Sequence, residues 1–176
     1  KHLKILNEEV SISDRIITDI LSFGRVKDPR FAKISIDTVI KTVLESTKVP
    51  KGINIVTKIK NSLPNIDADE IQLNQVFINI ILNAIQAMPG GGKLTIAGEK
   101  KGEFIEIDFV DTGEGILKEN LDKIFEPLFS TKIKGTGLGL SLSQHIIERH
   151  KGSIAVKSEP GKGTEFKIKL PISKMW

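Results

Sequence analysis

The sequence predicts an α/β protein: a two-layer α/β sandwich with one mixed sheet covered on one face by helices, preceded by an N-terminal bundle-type helix. Three observations predict it. Helix-period and strand-period segments succeed one another as αβ…αββ…αββ, an order that suits a single sheet with helices packed on it. The longest apolar helix pattern, 69–87, supplies Ile71, Leu73, Val76, Phe77, Ile80, Ile81, Ala84 and Ile85 to a core. Finally, Leu3, Leu6, Val10, Ser13, Ile17, Ile20 and Gly24 recur at alternating spacings of three and four, one stripe along a helix.

The elements follow in order. Ile12, Ile16 and Leu21 widen the first stripe, so this helix either pairs in a bundle or folds back on the domain after it. Asp28-Pro29 ends it, because the residue before a proline is pushed out of the α region. Phe31 to Ile34 reads as a short strand, and Asp37 as the cap of a helix with Val39, Ile40, Val43 and Leu44 on its buried face. Pro50-Lys51-Gly52 is a turn signal, and Ile53, Ile55 and Ile59 alternate in the strand behind it. Leu63 to Asp67 reads as loop. Asp69 then starts the long helix, which Pro89-Gly90-Gly91-Gly92 stops. Strands are expected at about 93–98 and 103–110, joined at Lys100-Lys101-Gly102. Residues 111–136 are irregular apart from a short helical piece near 119–125. A helix from about Gly137 to Arg149 and strands at 153–158 and 164–170 complete the chain. The units are 1–27, a linker with the first strand at 28–36, and 37–176.

Composition excludes several functions. With no cysteine, disulfides, thiolate metal sites and thiol catalysis are all ruled out. A net charge of +4 and a single tryptophan without tyrosine offer neither the basic surface nor the stacking platform of a nucleic-acid binder, so no nucleic-acid partner is expected. No run of about 18 apolar residues appears, so no membrane contact is expected of this chain; the location expected of it is cytoplasmic, either on its own or as the cytoplasmic part of a membrane-anchored protein. His2, His145 and His150 form no metal-binding arrangement, and none has the setting of a nucleophile.

Four stretches carry chemistry. Asn79 and Asn83 interrupt the apolar helix four residues apart, on one face. Their amides read either as oxygen ligands for Mg²⁺ or as buried groups stitching the helix to a loop. Asp111-Thr112-Gly113-Glu114-Gly115 follows a strand: the carboxylate suits an exocyclic amine and the glycines a close backbone approach, but any acidic turn has this pattern. An EF-hand-like calcium loop is disfavoured, because Ile116 and Leu117 stand where oxygen ligands are needed. Phe125-Glu126-Pro127-Leu128-Phe129-Ser130-Thr131-Lys132 reads as an anchored lid or as loop packing. Gly135-Thr136-Gly137-Leu138-Gly139-Leu140 runs into a helix, where freed amides and the helix dipole favour phosphate, with a ligand-free hinge as the other reading. Lys132 and Lys134 add charge beside it.

In this order the stretches resemble the N, G1, F and G2 boxes of sensor histidine kinases, members of an ATP-binding superfamily shared with type II topoisomerases, Hsp90 and MutL. The short interval between the last two resembles the short-lidded kinases of the nitrogen-regulation type. Gly161-Lys162-Gly163-Thr164-Glu165-Phe166 is similar to the family's last shared turn, and residues 1–27 to the second helix of the dimerisation and phosphoacceptor hairpin. The resemblance spans nearly the whole chain.

It implies a Bergerat fold that binds ATP and Mg²⁺. Asn83 would be the metal ligand, with Asn79 and Lys132 beside the transferred phosphate. Asp111, with Gly113, Gly115, Ile116 and Thr164, would hold the adenine. Phe125 and Phe129 would anchor the lid, Gly135, Gly137 and Gly139 would face the phosphates, and Thr131, Thr136, Leu138 and Leu140 would complete the nucleotide site. The superfamily's ATPases carry a water-activating glutamate where Asn79 stands, and an amide cannot act as that base, so transfer to a protein histidine is implied rather than hydrolysis. The acceptor is expected outside this chain, since Leu3-Lys4-Ile5-Leu6 after His2 lacks the family's pattern. The implied partners are a second copy of the protein and the receiver domain of a response regulator. A hinge near Lys27–Arg30 would let the ATP-bearing part swing. The rival readings are a related ATPase and a serine-kinase or anti-sigma regulatory module.

Overall fold

The structure, a computed structural model, describes residues 27–59, 63–132 and 135–172. The stripe over 1–24 and Lys134 lie outside them.

Strand β1 (Ala32–Ile34) leads into helix α1 (Ile36–Ser46), then β2 (Ile53–Ile59), β3 (Ile66–Ala68) and the long helix α2 (Glu70–Gln86). Next come β4 (Gly92–Lys101) and β5 (Phe104–Asp111), a single 3₁₀ turn at Lys118–Asn120, helix α3 (Gly139–Arg149), β6 (Ser153–Glu159) and β7 (Gly163–Pro171). Five strands form one sheet in the order β2-β4-β5-β7-β6. Its β2–β4 pair is parallel and the rest antiparallel, the expected mixed sheet.

The sheet is amphipathic because its strands alternate. Along β5, Ile105, Ile107 and Phe109 are buried, while Glu106 and Asp108 turn outward to Lys101 and Lys167. Ile168, Phe166 and Leu170 of β7 share the buried parity, and Phe109 stands opposite Phe166. Helix α2 lies on this face and contributes Leu73, Val76, Phe77, Ile80 and Ile81, all fully buried. The Phe77 and Phe109 rings pack at 5.4 Å between centroids, tilted by 57°. Helices α1 and α3 flank α2 and complete the helical layer.

Several boundaries differ from expectation, each for a local reason. Ser35, not Asp37, caps α1: it has extended backbone (φ −96°, ψ 123°) and its hydroxyl accepts from the Thr38 N–H. Asp37 sits inside the first turn, where its charge suits the helix dipole. The stretch read as loop before Asp69 contains β3, whose three residues pair antiparallel with β1 and are too few to show alternation. Lys100 and Lys101 belong to β4, opposite Ile105 and Phe104, which moves the hairpin turn to Gly102-Glu103. Helix α3 begins at Gly139 rather than Gly137, because Gly137 has φ of 68°, outside the helical region. Asp69 caps α2 as expected, accepting from the Gln72 N–H at 3.1 Å.

Candidate functional site

The alternation that buries Ile105, Ile107 and Phe109 carries one step further to Asp111, the last residue of β5, and places its carboxylate inside at 3% exposure. A buried charge must be compensated. One oxygen, Oδ1, accepts from the Gly113 N–H at 2.8 Å and from the Thr164 N–H at 3.2 Å. Burial still raises the carboxyl above its usual range; the two amide donors and the more distant Lys132 ammonium pull the other way. Thr164 reaches this place by the same route, on the buried parity of β7 next to the register pair Val110–Glu165. Its hydroxyl lies 2.9 Å from Ser158 Oγ, which donates to the Gly163 carbonyl and accepts from the Ile116 N–H at 2.8 Å each. With its one proton on Gly163, Ser158 receives Thr164's, and the Thr164 oxygen keeps acceptor capacity.

Asp111 and Thr164 line a cavity of about 490 Å³ walled by α2, the loop after β5 and the segment before α3. Of the residues singled out from sequence, Asn79, Asn83, Asp111, Gly115, Ile116, Phe129, Thr131, Lys132, Gly135, Thr136, Gly137, Gly139, Leu140 and Thr164 line it. Three do not. Leu138 is buried beneath the turn, and Phe125 packs against the hydrophobic core. Gly113 lies against α2's end, where an added Cβ would come within 2.5 Å of the Ala87 carbonyl oxygen. Gly115 behaves alike: at φ of 73°, a Cβ there would meet the Glu159 carbonyl oxygen at 2.3 Å. The missing side chains let this loop seat closely on protein backbone, and Gly115 also lines the cavity that the loop frames.

The two asparagines divide their tasks. Asn79 donates its amide to the Gly139 carbonyl at 3.2 Å and to Ser143 Oγ at 3.4 Å, stitching α2 to the start of α3. Asn83, one turn on, presents its amide oxygen to the Lys132 ammonium at 3.2 Å, and Gln86 Oε1 accepts from the same ammonium at 2.8 Å. A side-chain cation thus rests on the oxygen expected to receive Mg²⁺, so this donor set does accept positive charge. The segment bearing Lys132 is pinned at its base, where the Leu128 N–H donates to the Gly137 carbonyl at 3.1 Å. Both residues have positive φ, 68° each, and a Cβ on Gly137 would lie 2.4 Å from the Leu128 carbonyl carbon. Leu128 and Gly137 therefore form one narrow base at which the chain leaves and returns.

Three comparisons bear on this arrangement. Residues 68–174 match the model of the histidine kinase-, DNA gyrase B- and HSP90-like ATPases. The chain belongs to that family. It is 34% identical over 177 residues to the signal transduction histidine-protein kinase AtoS of Escherichia coli, covering 98% of this chain and 29% of AtoS. Its fold superposes on full-length ShkA, solved in complex with AMPPNP, with a TM-score of 0.86 at 26% identity over 99% of this chain and 39% of ShkA. It also matches histidine kinase ThkA in complex with the response regulator protein TrrA, with a TM-score of 0.82 at 28% identity over 98% of this chain and 51% of ThkA. The sandwich is that of histidine-kinase ATP-binding domains. The chain spans only 29–41% of the length of AtoS, ZraS and sporulation kinase C.

The cavity is also lined by residues to which the sequence reading gave no role: Leu82, Gln86, Ala87, Glu114, Asn120, Ile124, Ser130 and Phe166. Leu82 and Gln86 had a legible signal, each lying three residues beyond an asparagine on the face already identified. Phe166 is the next buried-parity position after Thr164. Asn120 and Ile124 had none, since an irregular loop brings them in.

Proposed function

We propose that this chain is the Mg²⁺-ATP-binding catalytic part of a sensor histidine kinase, donating the γ-phosphoryl group of ATP to a protein histidine for onward transfer to an aspartate of a response-regulator receiver domain. One observation carries the reading: a single cavity is lined both by a buried carboxylate and by a cation-accepting amide beside a glycine turn. That polarity matches a ligand with an amine-bearing ring and a metal-complexed polyphosphate.

In this reading Asp111 accepts from the adenine amine, with Ile116 and Phe166 as apolar walls and Thr164 acting beside the ring. Asn83 holds Mg²⁺, which when bound offsets phosphate charge. The amides of 135–140 at the start of α3 face the phosphates, and Lys132 moves from Asn83 to the phosphate oxygens as ligand enters. Asn79 spends its amide nitrogen on α3 and supplies no base, so water in the cavity goes unactivated and the phosphoryl group waits for a histidine. The AtoS and ThkA–TrrA likenesses support the kinase class and a receiver-domain partner, and the stripe of apolar residues over 1–24 supports pairing with a second copy. No helix among the described residues is long and apolar enough to cross a membrane, in keeping with a cytoplasmic place for this part.

The test is calorimetric titration of the chain with ATP, with and without Mg²⁺, followed by Asn83→Ala. Magnesium is expected to tighten binding in the parent and to have no effect in the variant. Equal affinity with and without the metal in the parent overturns the metal assignment. Mixed with a protein carrying the acceptor helix, labelled ATP should leave an acid-labile, base-stable label on that protein. Steady phosphate release without such label would instead assign the chain to the ATPases.

A further inference from the structure

Away from the cavity, the start of α2 and the end of α3 meet the segment 27–31 at one buried residue. His150 is 2% exposed. Its Nε2 lies 3.0 Å from the Asp69 N–H, and its Nδ1 lies 2.8 Å from the Ile146 carbonyl. Since Nε2 must accept from an amide, the ring is neutral and the proton sits on Nδ1, donated to Ile146. Asp69 is itself fully engaged: Oδ1 caps α2 on Gln72, and Oδ2 accepts from the Arg30 N–H at 2.8 Å. The Phe31 ring packs on the His150 ring at 5.3 Å. Two outer ties reinforce the corner, Gln72 Nε2 to the Lys27 carbonyl at 2.9 Å and the Arg149–Asp28 ion pair.

The segment foreseen as a hinge is therefore fastened to the nucleotide-binding helices. We propose that His150 is a positioning residue: by accepting from Asp69 it locks α2, α3 and residues 27–31 into one rigid corner, so that 27–31 travels with the ATP site instead of bending. The reasoning is mechanical. Helix α2 carries Asn79 and Asn83, α3 begins at the glycine turn, and 27–31 leads back toward the N-terminal stripe. An apolar residue at 150 would leave the Asp69 N–H buried without a partner, at a cost comparable to a lost hydrogen bond. Protonation of Nε2 would do the same, placing donor against donor. The charged groups around the ring are Asp69 at the start of α2, Arg149 on its own helix, and Asp28 and Arg30 in the segment; burial, helped by Arg149, outweighs the Ile146 hydrogen bond and Asp69 and holds the imidazole below its usual range.

The consequence for transfer rests on the histidine-kinase reading; the corner itself does not. Two variants separate the contributions. His150→Gln keeps an acceptor in reach of Asp69 without titrating, and His150→Leu removes it. Amide hydrogen exchange at Arg30 and Asp69, corrected for intrinsic rates and referred to Ile107 in the core, is the readout. We expect His150→Leu to speed exchange at both amides by about tenfold or more at neutral pH, and His150→Gln to leave it within about threefold of the parent. On acidification from pH 7.5 to 5.5 the parent should lose protection and His150→Gln should not. Equal protection in all three proteins, or the same acid response in parent and His150→Gln, overturns the proposal. Should His150→Leu fail to fold, as Ile107 would reveal, the comparison of pH profiles decides alone. With an acceptor protein present, His150→Leu should lower the transfer rate at saturating ATP about tenfold while the half-saturating ATP concentration stays within about twofold. A parent that transfers no phosphate refutes the kinase reading and leaves the exchange result standing.

Discussion

At the scale of single residues, Asp111 has a cost without ligand and a use with it. Its burial penalises the charged form, yet Oδ1 keeps two amide donors that an asparagine oxygen would also satisfy. Asp111→Asn should therefore leave the ligand-free melting temperature unchanged or higher while weakening ATP by about 1–3 kcal/mol, the range for losing a buried charge-assisted partner. Calorimetry and a thermal melt on the same samples check both halves, and an unchanged affinity removes Asp111 from the adenine site. The asparagines show how far a residue type can be read. Spacing put Asn79 and Asn83 on one face and left both ligand and stitch open. The neighbours divide the roles: Asn79 is turned to the Gly139 carbonyl, and Asn83 to a cation.

At the scale of elements, the loop 128–137 depends on one glycine. Gly137 combines a positive φ with a near contact to the Leu128 backbone, and neither tolerates a Cβ. Gly137→Ala should spread the base of the loop, lower stability by about 1 kcal/mol or more, and weaken ATP further than Mg²⁺-free nucleoside. A melt with parallel titrations of ATP and adenosine checks it; equal losses for the two ligands would show that the loop does not serve the phosphates. The long helix was legible to within a residue at each end, because an aspartate cap, an apolar 3.6-period face and a proline-glycine stop all agree. Strand β3 was not legible: three residues carry no period, and only pairing with β1 makes them a strand.

For the molecule as a whole, two buried ionisable groups set opposite pH trends. His150 has a lowered value in the fold, so its contribution is present above the unfolded value of about 6.5 and is lost as pH falls through the folded one. Asp111 has a raised value, so its contribution is present below the unfolded value of about 3.9 and is lost as pH rises through the folded one. Stability should thus fall on mild acidification, with protonation of Asp111 returning part of the loss. Denaturant midpoints measured across the acid range on the parent, His150→Gln and Asp111→Asn separate the two: the first variant should lose the decline and the second the recovery. Identical profiles in all three proteins would show that neither group governs the acid response.

What the sequence determined by itself is the two-layer sandwich, its long helix and the face on which the site residues lie, because alternation and helical period are local properties of a chain that must bury one face of each element. The order of its four chemical stretches also sufficed to point to the ATPase family. Only the tertiary structure decided that Gly113 and Gly115 approach protein backbone, that a lysine rests on Asn83, and that residues 27–31 are fastened through His150. Each of those depends on atoms brought together from distant parts of the chain, as with Asp69 and His150, and no spacing along a sequence records a contact of that kind.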